Sequence, residues 1–118
     1  YRADGLIVAT PTGSTAYSMA AGGPLLGPHA GVFVITPICP HSMSNRSLVV
    51  GEKSVIELSP AGDGEEPILF SVDGRDILRI EKNSVVRVTC HDANLRLVRL
   101  PGHSFYETLR KKLHWHGG

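Results

Sequence analysis

The stretch "TPTGSTAYSMAAGGP", residues 10–24, gathers hydroxyl side chains, small residues and no charge into one short passage. It follows the apolar run "LIVAT", so the expected local order is strand, tight turn, short helix. At such a corner the first helical turn leaves backbone N–H groups without intrahelical acceptors and carries partial positive charge, which suits a phosphate, a ribose or the edge of a base. Gly13 permits close approach of the backbone, Thr12, Ser14 and Thr15 offer donors and acceptors, and Tyr17 offers a ring with a polar tip. The same residues also describe a helix that is simply capped by Ser14 or Thr15 and closed by Gly22-Gly23-Pro24. Spacing alone leaves both readings open. The stretch is neither a GxxxxGK[ST] phosphate loop nor a GxGxxG dinucleotide loop.

Other groups capable of chemistry are scattered. Gly62-Asp63-Gly64 lies between "ELSP" and "EEPIL" and reads as a loop between strands. Asp73 and Asp76 straddle Gly74 and read as solvated acids of a hairpin turn, not as a catalytic pair. His29, His91, His103, His114 and His116 show no ligand spacing with acids or thiols, and "HWHGG" reads as a mobile terminus. Cys39 and Cys90 lack a CxxC partner and match no zinc spacing, which predicts buried free thiols. No metal site is expected on this chain.

The elements that must position these residues are mostly strands. Eight runs rich in β-branched or aliphatic residues (6–10, 32–36, 47–50, 54–59, 68–72, 76–80, 84–90 and 95–100) are separated by turn residues. Asp73-Gly74 between two such runs signals a tight hairpin, because both central positions must accept positive φ. Two segments read as helices, the short one within residues 14–21 and a second from Ser104. The second carries a capping-box pattern, Ser104 to Glu107, with Phe105, Leu109 and Leu113 on one side and "RKK" on the solvated side. The expected fold class is therefore mostly β: an antiparallel β-sandwich with one short helix after the first strand and a C-terminal helix.

The whole chain sets limits on partners. Its 118 residues suit one domain, 42% of them are hydrophobic and 19% charged, and twelve Lys and Arg stand against eleven Asp and Glu. Such a balance gives no strong field for nucleic acid, and no apolar run reaches the roughly 20 residues of a membrane span. The N-terminal "YRADG" lacks the basic-then-apolar order of a signal peptide, so a cytoplasmic setting is expected.

The particular residues carry more than the pattern does. "DGLIVATPTGSTAYSMAAGGP" resembles, nearly residue for residue, the signature of the NAD kinases, and "TPICPHSMSNRSLVV" is similar to the family's second block. "FSVDGRD" and "SFYETLRKKLHW" resemble its later segments, so the likeness spans the chain. It implies that residues 1–118 are the family's C-terminal, NAD-binding β-sandwich domain. The implied activity of the parent is transfer of a phosphoryl group from ATP, or from polyphosphate in some members, to the 2′-hydroxyl of the NAD adenosine ribose, with Mg2+ or another divalent cation. By position, Thr15, Ala16 and Tyr17, with Thr12 and Ser14, resemble the loop that contacts the adenosine end of NAD. Ala20 stands where a serine is common in the family, which removes one hydroxyl from that position. Asp4 resembles the acid that reaches the nicotinamide side from a neighbouring subunit, which implies a homo-oligomer, dimer or tetramer. His41, in "CPHS", reads as structural or pocket-lining.

The resemblance also implies what lies elsewhere. The family's "GGDG" motif, whose aspartate is the proposed base, belongs to a preceding α/β domain, as does an "NE" pair; neither occurs in these residues. Gly62-Asp63-Gly64 comes after the signature instead of before it. No catalytic residue is therefore expected in this chain, and the chain by itself is expected to be inactive. A non-catalytic nucleotide-binding or oligomerisation module of the same ancestry is the alternative. A lipid-kinase relative would need an apolar trough where this chain has hydroxyls.

Overall fold

The run "VFVITPI" forms the central strand of a three-stranded sheet, β2 (Val32–Ile38), between β1 (Gly5–Ala9) and β3 (Leu48–Gly51). The structure is a computed structural model that describes residues 1–61 and 66–117. Strand β2 pairs antiparallel with β1 from Ala9↔Val34 through Ile7↔Thr36 to Gly5↔Ile38, and the Asp4 N–H donates to the Ile38 carbonyl at 2.9 Å. The strand thus continues past the expected end at Thr36, through Pro37. Phe33, Val34, Ile35 and Ala9 are buried, so β-branched and aromatic residues on a flanked central strand supply the apolar centre here.

The described residues fall into two compact units, one within residues 1–50 with 91–117 and one within residues 51–61 with 66–90. In the second, β4 (Ile56–Leu58) pairs antiparallel with β7 (Val86–Val88), and Ile56 is buried. Arg87 reaches across that pair to Glu57 at 3.2 Å; both side chains are well exposed, so the contact adds little stability. Strands β5 (Ile68–Val72) and β6 (Arg75–Ile80) form an antiparallel hairpin with a register shift between Phe70 and Val72. Its turn residues Asp73 and Gly74 have φ of 50° and 71°, the left-handed pair that the Asp-Gly signal predicts.

The chain is mostly β in antiparallel pairings, with a short helix after the first strand, α1 (Tyr17–Ala20), and a helix near its end, α2 (Phe105–Lys112). Ser104 precedes α2 in an extended conformation but makes no side-chain cap; instead its carbonyl accepts from the Thr108 N–H and hydroxyl, both at 3.1 Å. Phe105, Leu109 and Leu113 are the half-buried side of the helix, as their spacing predicts. The helix closes with His114 at φ 53° and the Trp115 N–H bonded to the Arg110 carbonyl, a Schellman ending without glycine.

Three expectations are corrected. Residues 95–100, expected as an eighth strand, form no strand: an alternating apolar sequence permits a ladder, but the backbone needs a partner edge to make one, and these residues are exposed. Cys39 and Cys90 are exposed instead of buried. Cys39 lies just past the end of β2 with φ 45°, so the chain turns away from the sheet there and takes the thiol with it. Neither Ser14 nor Thr15 caps α1; the residue preceding that helix is Ala16, because both hydroxyls bond to carbonyls of the turn before it. The Gly62-Asp63-Gly64 loop lies outside the described residues. No helix among them is long and apolar enough to cross a membrane.

Candidate functional site

Strand β1 delivers the chain to Thr10, where a 3-10 turn, Thr12–Thr15, begins. The Thr10 hydroxyl accepts from the Gly13 N–H at 3.2 Å, and the Ser14 N–H is shared between the Thr10 and Pro11 carbonyls at 2.9 and 3.2 Å. Ser14 then turns inward. Fully buried, it donates its hydroxyl to the Pro11 carbonyl at 2.6 Å and accepts from the Leu26 N–H at 3.0 Å. Thr15 likewise donates to the Thr12 carbonyl at 3.2 Å. These local bonds compete with capping and win, which is why the two hydroxyls expected to cap α1 tighten the preceding turn instead.

Helix α1 follows after a break at Ala16, whose ψ of −124° belongs to neither helix. It is a single turn, closed by Gly22 at φ 85° and by the Gly23 N–H bonded to the Ser18 carbonyl at 2.8 Å. The turn and helix together present two sides. Ser14 and Ser18 are buried, while Thr12, Ala16, Tyr17 and Ala20 are exposed, Tyr17 at 70%. Gly13 has no positive φ, and a Cβ built there would meet only ordinary contacts at 3.6 Å. Its lack of a side chain is therefore not demanded by the fold.

Beneath this surface lies a set of hydroxyls that the sequence reading missed. Ser18 Oγ sits 3.1 Å from Thr36 Oγ1, both residues about 1% exposed, and the Ser47 hydroxyl donates to the same Thr36 oxygen at 3.1 Å. Gly23 covers the pair: a Cβ there would fall 2.5 Å from Ser18 Oγ and 2.6 Å from Thr36 Oγ1. The available signals were a threonine inside the apolar run "VFVIT" and a serine one helical turn after Ser14, each unremarkable by itself.

Asp4 and His41, singled out for separate reasons, meet: Asp4 Oδ1 and His41 Nε2 are 2.9 Å apart, with side chains 63% and 60% exposed. The backbone fixes both. The His41 N–H and the Asn45 side-chain amide both donate to the Arg2 carbonyl, at 2.9 and 3.2 Å, and the Tyr1 hydroxyl donates to the Arg46 carbonyl at 3.0 Å. Segment 1–4 is thereby strapped to the loop that follows β2. Asp4 and Thr10 stand at opposite ends of β1, about 20 Å apart along the strand at its usual rise. The predicted residues thus form two clusters, Thr12 to Ala20 and Asp4 with His41. Among the described residues no group of His, Cys, Asp and Glu converges as metal ligands would.

Arranged this way, the exposed side of the turn offers an aromatic ring, a free threonine, alanines too small to obstruct, and a bare glycine backbone. That combination fits a flat, polar, uncharged ligand portion better than a polyanion, because no cation lies within the turn.

The comparisons with known proteins agree with the resemblance. Residues 1–100 match the model of the ATP-NAD kinase C-terminal domain. The chain is 51% identical over 113 residues to an NAD kinase of Symbiobacterium thermophilum, covering 96% of this chain and 40% of that protein. It is 47% identical to an NAD kinase of Caldicellulosiruptor saccharolyticus, covering 96% and 42%. Among solved structures, the crystal structure of yeast NADH kinase complexed with NADH superposes with a TM-score of 0.72 at 29% identity, covering 98% of this chain and 36% of that one. The chain spans about 40% of the length of these curated relatives. With identity of that order sustained from end to end, and with the fold in agreement, the chain belongs to the NAD kinase family and corresponds to its C-terminal domain.

Proposed function

We propose that this chain is the dinucleotide-binding part of an NAD kinase, which moves a phosphoryl group from ATP or polyphosphate to the 2′-hydroxyl of the adenosine ribose of NAD and so makes NADP. The observation that carries the reading is the two-sided turn: Thr12, Ala16, Tyr17 and Ala20 lie open on one side while Ser14 and Ser18 hold it from the other. An adenosine placed there would meet the Tyr17 ring, the alanines and the backbone of Gly13. Ser14 then serves the ligand indirectly, since its hydroxyl is committed to Pro11 and Leu26. The naming of the relatives as NAD kinases and of the structural neighbour as an NADH kinase supports the substrate class.

In the transfer, the ribose oxygen forms a bond to the terminal phosphorus of the donor, gives its proton to a base, and the shortened donor leaves. We assign that base and the phosphate cradle to the remainder of the parent protein, which the relatives' greater length accommodates. Any divalent cation accompanying the donor is assigned there too. What these residues contribute is position: they hold the ribose so that its 2′-oxygen is presented to the donor. Asp4, held by His41, is assigned to the nicotinamide side of a neighbouring subunit's site.

The test compares two samples. The isolated 118-residue polypeptide with ATP, Mg2+ and NAD is expected to yield no NADP, and the full-length protein is expected to yield it. Robust NADP formation by the isolated chain would place base and cradle within it and overturn the assignment.

A further inference from the structure

The hydroxyls of buried Ser18 and Thr36 and of half-buried Ser47 lie beneath the exposed side of the turn, and they join the three pieces of chain that could shift it. Ser18 belongs to α1, Thr36 to the middle of β2 opposite Ile7, and Ser47 to the residue before β3. Their oxygens are linked in a row at 3.1 Å each, with Thr36 Oγ1 in the centre. A methyl-lined contact at this place would resist separation of α1 from the sheet but leave its rotation about its own axis soft, since dispersion has little directional preference. Hydrogen bonds between hydroxyls are directional. Because α1 is only one turn long and Tyr17 directly precedes Ser18, a rotation of α1 about Ser18 carries the Tyr17 ring with it. Gly23 closes the arrangement: its backbone lies against both oxygens where no side chain fits, so the hydroxyl pair and that glycine fit each other as a unit.

We infer that Thr36 is a positioning residue for the dinucleotide: its hydroxyl, through Ser18, sets the orientation of α1 and hence of Tyr17 and Ala16. The inference rests on the reading of the turn as the dinucleotide site. It assigns a role in binding to a residue 1% exposed, beneath the turn instead of on its open side.

The experiment uses the full-length protein, with KM for NAD, KM for ATP and thermal melting recorded on each variant. In Thr36→Val, which keeps the shape and removes the hydroxyl, KM for NAD is expected to rise roughly tenfold, within the range that small misplacements of a binding group produce, while KM for ATP stays put. Thr36→Ser, which restores the hydroxyl and removes the methyl, is expected to recover KM for NAD to about twofold of the parent even where its melting temperature stays lowered. Ser47→Ala, at the half-buried end of the row, is expected to shift the same constant in the same direction by less, and it serves should Thr36→Val not fold. A merely structural role predicts the opposite pattern: lowered melting in both Thr36 variants with KM for NAD unchanged in each, or equally raised in each. Either result overturns the inference. Tyr17→Ala in the same series separates the two levels of the argument. An unchanged KM for NAD in Tyr17→Ala overturns the site itself, whereas a raised one there beside unchanged values in Thr36→Val and Ser47→Ala overturns the positioning role alone.

Discussion

Tyr17 and Gly13 separate binding from folding more cleanly than any other residues of the turn. Tyr17 is 70% exposed, so its ring contributes little to the packed state. Tyr17→Ala is therefore expected to leave the melting temperature of the full-length protein nearly unchanged while weakening NAD by about 1 to 3 kcal/mol, the value of a base stacked on an aromatic ring. Calorimetric titration reads the affinity directly, and an unaltered Kd removes Tyr17 from the site. Gly13 gives the complementary case. Its backbone is not in the left-handed region and a Cβ would find ordinary contacts, so Gly13→Ala is expected to stabilise the fold by about 0.4 to 1 kcal/mol through the unfolded chain. Were the bare backbone needed for a ligand, the same change would weaken NAD binding. Greater stability with lower affinity is a signature that a packing residue does not give, and a Gly13→Ala protein that melts higher and binds NAD as before would strike Gly13 from the site.

At the scale of elements, the turn and α1 are held less by helix propensity than by what lies under them, because a single helical turn has almost no stability of its own. Gly23 is the most exacting position. Gly23→Ala would put a methyl within 2.6 Å of the Ser18 and Thr36 oxygens and 2.8 Å from the Ser18 carbonyl, which the backbone cannot yield without moving α1. A loss of about 1 to 3 kcal/mol is expected, the usual cost of overpacking, together with weaker NAD binding; a melt of the variant matching the parent would show that the loop has room to give. This arrangement also shows what the sequence could tell. Strands β1 to β7 were legible because each is a β-branched or aliphatic run bounded by turn residues that found a partner edge, and Asp73-Gly74 announced its hairpin because its two φ values are chemically constrained. The turn's location was legible; its internal bonding was not. Ser14 and Thr15 looked like caps, but each hydroxyl had a nearer carbonyl, and which acceptor wins depends on a chain geometry that spacing does not specify. Residues 95–100 failed for the opposite reason: their pattern was right, and a strand still requires a second edge, which is a property of tertiary structure. The Ser18–Thr36–Ser47 row was invisible because its members are far apart in sequence and individually common.

For the whole molecule, the question is where Asp4 acts. The pair it forms with His41 is open to solvent, and β1 sets it at the far end of the strand from Thr10. The β5–β6 hairpin leaves Leu69, Val72, Ile77 and Leu78 exposed on two strands that are marginal without a cover, which the remainder of the parent protein or another subunit would supply. The openness of the Asp4–His41 pair is what fits the proposed homo-oligomer, in which Asp4 of one subunit completes the site of another. The prediction follows from the geometry of sharing. Asp4→Asn alone and Tyr17→Ala alone are each expected to bind NAD weakly, since every site in either assembly carries one lesion. When the two variants are mixed and allowed to exchange subunits, sites formed between them sort into those with both lesions and those with neither, so part of the tight binding should return. If Asp4 instead serves the turn of its own chain, every site retains its lesion and mixing restores nothing. A titration of the mixture against each parent variant, with exchange verified by mass, therefore decides between a site built within one chain and a site built between two.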